Sequence, residues 1–218
     1  MIFKTYTVVF EGVEARCIEV QCALSAGLPG FSIVGLPNKA VSEARDRVRS
    51  ALASMSIALP SKRITVNLSP ADLPKYDRHF DLPIALAMMA AIGVIAQDAC
   101  ENTVSLGELS LDGALLPVRG ALPAAVTAAG SDRLLICPRA CGPEAAWVAT
   151  AQVIGADSLW DIIQHFNSQK PIPAAQAGDI EAPIILGDLC DIKGQERGKR
   201  ALEIAVAGRH HLFLVGTP

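Results

Sequence analysis

Apolar and polar positions alternate with period two over residues 2–11 and again over 14–22, with Gly12 between them. Such alternation marks half-buried strands, and the break at Glu11-Gly12-Val13 predicts an N-terminal hairpin. Residues 25–30 read as a loop and 31–34 as a short buried strand. Asn38 is placed to cap a helix over 39–56, where Val41, Ala44, Val48, Ala51, Leu52 and Met55 recur on one side. Residues 63–68 alternate as a strand. A polar loop, 69–79, then leads to Asp81, read as the cap of an apolar helix over 82–96, with Pro83 in its first turn, where a missing N–H costs little. Strands are predicted at 103–109 and 114–118 around a turn at Leu111-Asp112-Gly113. A helix at 120–129, a strand at 134–136, a helix at 142–149, a strand at 152–154 and a helix at 158–166 follow. Strands joined by crossover helices predict an α/β domain with a partly parallel sheet.

Periodicity then stops. Residues 168–183 carry three prolines and no repeat of apolar positions, the composition of a linker. Beyond it a helical pattern over 196–208 places Ala201, Leu202, Ala205 and Val206 on one face, with Gly208 as its stop. His210-His211 leads into an apolar run of strand type, 212–215, and then Gly216-Thr217-Pro218. The pattern therefore divides the chain into a domain at 1–167, a linker at 168–183 and the first part of a second domain at 184–218.

Composition narrows the class. Hydrophobic residues make up 51% of the 218 and charged residues 19%, enough for a core and too apolar for a disordered chain. The net charge of −3 shows no overall basicity that would point to nucleic acid. Cys17, Cys22, Cys100, Cys137, Cys141 and Cys190 form no C-x-x-C pair and read as reduced thiols rather than a disulfide framework or a zinc site. The longest apolar run, 82–96, is shorter than the ~20 residues that span a bilayer, and the N-terminus begins on a strand pattern without a secretory signal. A soluble, cytoplasmic protein is expected.

The candidate chemistry lies in the last segment. A phosphate-binding loop reads G-x-x-x-x-G-K-[ST] directly after a strand, and Gly216-Thr217-Pro218 would be its first three positions. Upstream, Asp191, Ile192, Gly194, Gln195 and the run Lys199-Arg200-Ala201-Leu202-Glu203-Ile204-Ala205 resemble the opening of magnesium-chelatase-like AAA+ ATPases, with Gly216 and Pro218 continuing the likeness into the Walker A loop. The resemblance implies a P-loop AAA+ module, begun here, that binds ATP and Mg²⁺ in the full-length protein. It makes Ile192 and Gly194 contacts for the adenine and Gly216, Thr217 and Pro218 the start of the phosphate cradle. The lysine, the magnesium-binding hydroxyl and any arginine finger would lie beyond Pro218, so the chain by itself is not expected to hydrolyse ATP. Lys199 and Arg200 are expected to face solvent or a neighbouring subunit.

The first domain carries a second likeness. Gly107-Glu108-Leu109-Ser110-Leu111-Asp112-Gly113-Ala114-Leu115-Leu116-Pro117-Val118 resembles a segment of Lon-protease domains, which implies a ribosomal-protein-S5-like fold with a mixed sheet. The catalytic pair does not follow it. A serine–lysine dyad needs a hydroxyl before the apolar helix and a lysine after Pro117. The first site reads Arg78-His79-Phe80-Asp81, the second Arg119-Gly120-Ala121, and no lysine occurs between Tyr76 and Gln169. Proteolysis is not expected, Asp81 is read as a helix cap, and His79 as a solvated loop residue. Together, a Lon-like ChlI-type domain and an ATPase start resemble the YifB/ComM family. That resemblance implies an ATP-driven, ring-forming, hexameric motor, with ComM-type members acting as branch-migration helicases on DNA in natural transformation.

DNA contact has one local basis. Between Gly35 and Phe80 eight positive residues stand against four negative ones, and Arg45, Arg49, Lys62 and Arg63 are the candidates for touching branched or single-stranded DNA. The same charges also fit a solvated helix face laced by pairs such as Glu43–Arg47. Two other functions remain open on sequence: a chelatase motor subunit, and a non-enzymatic scaffold or regulatory domain.

Overall fold

The computed structural model describes residues 2–35, 39–73, 75, 78–179 and 187–216. They fall into two compact units, Met1–Gly178 and Asp179–Pro218. In the first, β1 (Ile2–Glu11) and β2 (Glu14–Ser25) form the expected hairpin, in register from Ile2↔Ala23 to Glu11↔Glu14. β3 (Gly30–Val34), α1 (Lys39–Ser54) and β4 (Arg63–Ser69) make a parallel crossover, with β4 antiparallel to β2. Asn38, read as the cap of α1, lies outside the described residues.

The chain continues through α2 (Asp81–Ala91), α3 (Gln97–Glu101), β5 (Thr103–Ser105) and a two-stranded ribbon of β6 (Glu108–Leu109) and β7 (Leu115–Leu116). Then come α4 (Ala121–Gly130), β8 (Leu134–Pro138), α5 (Gly142–Ala145), β9 (Val153–Ala156) and α6 (Leu159–Phe166). The main sheet has seven strands in the order β3-β4-β2-β1-β5-β8-β9. Four of its six pairings are parallel. The architecture is mixed α/β.

Period-two side chains divide the core into two layers. Val9, Ile136 and Ile154 face one cluster with α1, α2 and α6, while their neighbours Val8, Leu135 and Val153 face another with α4. α2 is buried on every side, ten of its eleven residues being out of solvent, as a helix without a polar face must be. α4 meets the sheet through Ala121, Ala124, Ala125 and Ala128, spaced along one helix face and small enough for close approach.

Several predicted boundaries move, each for a local reason. The apolar helix stops at Ala91 rather than 96, because Gly93 turns left-handed (φ 77°) and Val94 N–H closes back on Met89 O at 2.9 Å. α1 ends at Ser54, where Ser56 has φ 59° and Ile57 N–H bonds Leu52 O. The strand predicted over 103–109 breaks in two. Gly107 N–H donates to His79 O, and its carbonyl accepts from Leu82 N–H, both at 3.0 Å, drawing the chain out of the sheet towards the start of α2. The 114–118 strand shrinks to two residues and the 142–149 helix to four.

The stretch read as a linker from residue 168 remains attached to the first unit as far as Gly178. Ala175 N–H donates to Val153 O (2.8 Å), Trp147 Nε1 to Gly178 O (2.8 Å), and Ile172 N–H to His165 Nδ1 (3.0 Å). The Ala175 bond, with the Ile154↔Ala174 bridge, covers part of the otherwise open edge of β9. Among the described residues no helix is long and apolar enough to cross a membrane.

In the second unit a 3-10 turn, Leu189–Asp191, is closed by a reciprocal capping box between Asp188 and Asp191. Gly194 (φ 71°) and Gln195 (φ 58°) lead into α7 (Glu196–Gly208). Its stop is Arg209 in the left-handed conformation rather than Gly208. Of the four residues assigned to its apolar face only Ala205 is buried, and Val206 is 70% exposed. The run 212–215 has no strand partner among the described residues.

The bond from Ile172 to His165 requires an unprotonated Nδ1, and burial lowers the pKa of this histidine. A depressed folded pKa makes the contact fully stabilising above the ordinary histidine value and progressively weaker as pH falls through the folded one. Hydrogen exchange corrected for intrinsic rates should show Ile172 N–H losing protection between about pH 7 and 5. His165→Gln should remove that pH dependence. Equal protection across the range would rule out the titration.

Candidate functional site

The most constrained polar group of the first unit is Asp81, which is wholly buried. It does not cap α2 as the sequence suggests. It is the helix's first residue, Phe80 is the capping position, and no side chain caps there. Its carboxylate instead faces Arg47 of α1. Arg47 Nε donates to Oδ2 at 2.6 Å and Nη2 to Oδ1 at 2.9 Å, while Leu109 N–H of β6 donates to Oδ2 at 3.0 Å. Burial pushes the Asp81 carboxyl up, against the opposing pull of Arg47 and the Leu109 amide. The Asp81 bond in turn raises the Arg47 guanidinium. The expected Glu43–Arg47 helix pair is present but long, at 3.8 Å. One carboxylate at the edge of an otherwise apolar helix was the available signal, since such a charge must find a partner.

His79 is not solvated either. It is 2% exposed, with Nε2 2.8 Å from Val8 O, its ring stacked on Phe80 and edge-on to Phe10. Lys75 is buried too, donating from Nζ to Pro70 O and Leu73 O, both at 2.7 Å, and burial lowers its pKa. Two members of the basic stretch, Arg47 and Lys75, are therefore turned inward and cannot serve a surface.

The four DNA-contact candidates remain outside. Arg45 and Arg49 are exposed on α1, with Arg45 paired to the adjacent Asp46 at 3.1 Å. Lys62 and Arg63 are exposed at the start of β4. Arg49 borders a groove with Ala53 and 56–59, whereas Arg63 borders a separate one with 26–32. No single pocket gathers the four among the described residues. Cys22, Cys100 and Cys137 are buried, which pushes their thiols up to about 12 and leaves them inert.

In the second unit Ile192 is 46% exposed, and a Cβ added at Gly194 would meet no atom within 4 Å. The two are two residues apart in the loop before α7. Lys199 and Arg200 pair with Glu196 and Glu203 of the same helix, at 3.3 and 2.9 Å. Gly216 is described without regular structure, and Thr217 and Pro218 lie outside the described residues. Among the described residues no group of histidines, cysteines and carboxylates could hold a metal ion.

Comparison with known proteins assigns the family. The model of subunit ChlI of Mg-chelatase matches residues 18–140, and that of magnesium chelatase, subunit ChlI, matches 188–218. The first match lies in the first unit, the second in the second. The chain belongs to the YifB/ComM magnesium-chelatase-like family. It is 42% identical over 212 residues to the competence protein ComM of Haemophilus influenzae, covering 95% of this chain and 42% of that protein. It is 41% identical over 207 residues to YifB of Salmonella typhimurium, covering 95% and 41%. It is 37% identical over 217 residues to protein Mb2921c of Mycobacterium bovis, covering 99% and 43%. The chain thus spans about two-fifths of the length of these relatives.

Replacing Arg47 by methionine would leave the Asp81 carboxylate buried without its guanidinium, a destabilisation of about 3–5 kcal/mol. Urea unfolding should show it, and the double variant Arg47→Met/Asp81→Leu should recover at least half of the difference. Equal stability of Arg47→Met and the unmodified chain would contradict the pairing.

Proposed function

We propose that this chain is the N-terminal portion of an ATP-driven AAA+ motor that remodels DNA, a branch-migration helicase acting in recombination during natural transformation. One observation carries the reading: the magnesium-chelatase match at 188–218 falls on a separate unit that has a turn, a loop and a helix in the order of a nucleotide-binding module. Ile192 and Gly194 would lie against the adenine. Gly216, Thr217 and Pro218 would open the Walker A loop, whose backbone N–H groups receive phosphate at a helix N-terminus. Open space at Gly194 and the half-exposed Ile192 suit a flat base. When bound, ATP would supply the energy of the cycle, with Mg²⁺ neutralising its phosphates.

The same unit leaves Ile204, Val206, Phe213, Leu214 and Val215 exposed, an apolar surface suited to cover by the rest of a larger nucleotide-binding fold. The first unit, in this reading, is a Lon-like domain without peptidase activity, attached through a linker to an ATPase that assembles as a homohexamer. The work is cytoplasmic, on branched or single-stranded DNA. The name of the Haemophilus relative, a competence protein, supports a role in transformation.

A chelatase motor subunit that drives magnesium into a porphyrin is the second reading, favoured by the descriptions of both matched families. ATP hydrolysis by the full-length protein separates the two. Branched DNA should raise the rate several-fold, and porphyrin metallation should not occur. A rate indifferent to DNA would sink the helicase reading.

Replacing Arg45, Arg49, Lys62 and Arg63 together by alanine in the full-length protein should weaken DNA binding. It should also flatten the dependence of binding on salt, by about 0.9 in log–log slope for each phosphate no longer neutralised. An unchanged slope would remove these residues from the interface.

A further inference from the structure

The first unit contains a cleft that none of these roles uses. It encloses about 640 Å³ between the end of β1, the 3-10 turn before α2, β6 and the loop into α4. That volume is in the range of small-molecule sites, about 300–1,000 Å³. The two segments in which the sequence lacks a serine–lysine dyad, around Arg78-His79 and Arg119-Gly120, meet here. The described lining residues offer two guanidinium groups, a carboxylate and an imidazole, a set suited to recognising an anion.

Its floor is fixed. His79 is held by Val8 O and packed between Phe10 and Phe80. Gly120, at φ 91°, brings the α4 loop so close to Phe10 that a Cβ there would lie 2.2 Å from the ring. No other residue fits that approach.

The rim is charged. Arg78 pairs with Glu108 at 3.1 Å, yet its side chain stays 58% exposed. Arg119 is exposed and, among the described residues, has neither an ion pair nor a hydrogen bond. Among the described lining residues, two guanidinium groups stand against one carboxylate, a positive mouth on a chain whose net charge is negative.

We propose that this cleft binds a nucleotide unit through its phosphate, with Arg119 as the principal contact and Arg78 shared between the phosphate and Glu108. A guanidinium fork matches phosphate oxygens in pairs. Phe10, Pro117 and Pro123 supply an apolar wall on which a base can lie. Phosphate suits the site better than carboxylate, because its additional oxygens can reach both arginines while Glu108 keeps its own bond. The unit comes either from single-stranded nucleic acid or from a free nucleotide. The site needs neither the second unit nor ATP, so it stands or falls apart from the motor reading.

Fluorescence anisotropy of a short labelled oligothymidylate, titrated with the 218-residue chain without ATP, tests the assignment. Arg119→Ala should weaken binding about tenfold, the worth of a charge-assisted contact, with the unfolding midpoint unchanged because Arg119 holds nothing in the fold. Arg78→Ala should weaken it less. Displacement by thymidine monophosphate would support a free nucleotide as the source, and displacement only by unlabelled oligonucleotide would support a strand. Absence of binding by the unmodified chain, an affinity indifferent to Arg119→Ala, or equal displacement by polyglutamate would each overturn the proposal.

Discussion

A single buried carboxylate organises the first unit. Asp81 heads a helix that is apolar on every side, and a charge in that position is tolerated only with its partners in place. Arg47 reaches it from α1 and the Leu109 amide from β6, so three elements distant in sequence are held at one point. The neighbouring turn obeys the same constraint. Gly107 brackets residues 79–82 with two backbone bonds, and His79 is fastened to β1 through Val8 O. At the seam where β1, α1, α2 and the β6–β7 ribbon converge, the polar side chains of Asp81 and His79 are both buried.

That seam also explains where sequence reading succeeds and where it fails. Elements with a clear period were legible: the hairpin, the α1 face with Val41, Ala44, Val48, Ala51 and Leu52, the β4 alternation and the crossover order. The fate of isolated polar residues was not. Asp81 before an apolar run looks the same whether it caps the helix or pairs with a distant arginine, because local spacing carries no information about α1. His79 and Lys75 sit in a polar stretch, yet backbone carbonyls satisfy them and allow their burial. The attached segment up to Gly178 was hidden for a related reason. Its own backbone groups make the contacts, to the Val153 carbonyl, the His165 ring and the Trp147 indole, which need no periodicity.

The candidate sites divide in the same way. The likeness to the magnesium-chelatase family was readable from short-range spacing around Gly194, Gln195 and α7, and the family comparison agrees with it. The positive mouth formed by Arg78 and Arg119 was not, since 40 intervening residues separate its two sides and only the fold joins them. A cleft whose described lining carries no hydroxyl or amine can, in the proposed arrangement, still recognise a ligand. In the proposed arrangement the first unit recognises and the second belongs to the engine.

Nucleotide binding is the claim on which the functional account turns. Titrating ATP with Mg²⁺ into the full-length protein in a calorimeter addresses it most directly. Saturable heat approaching one nucleotide per subunit, abolished by replacing the phosphate-loop lysine, is the predicted result. A protein that is folded, by circular dichroism, and gives no saturable heat with ATP would contradict it.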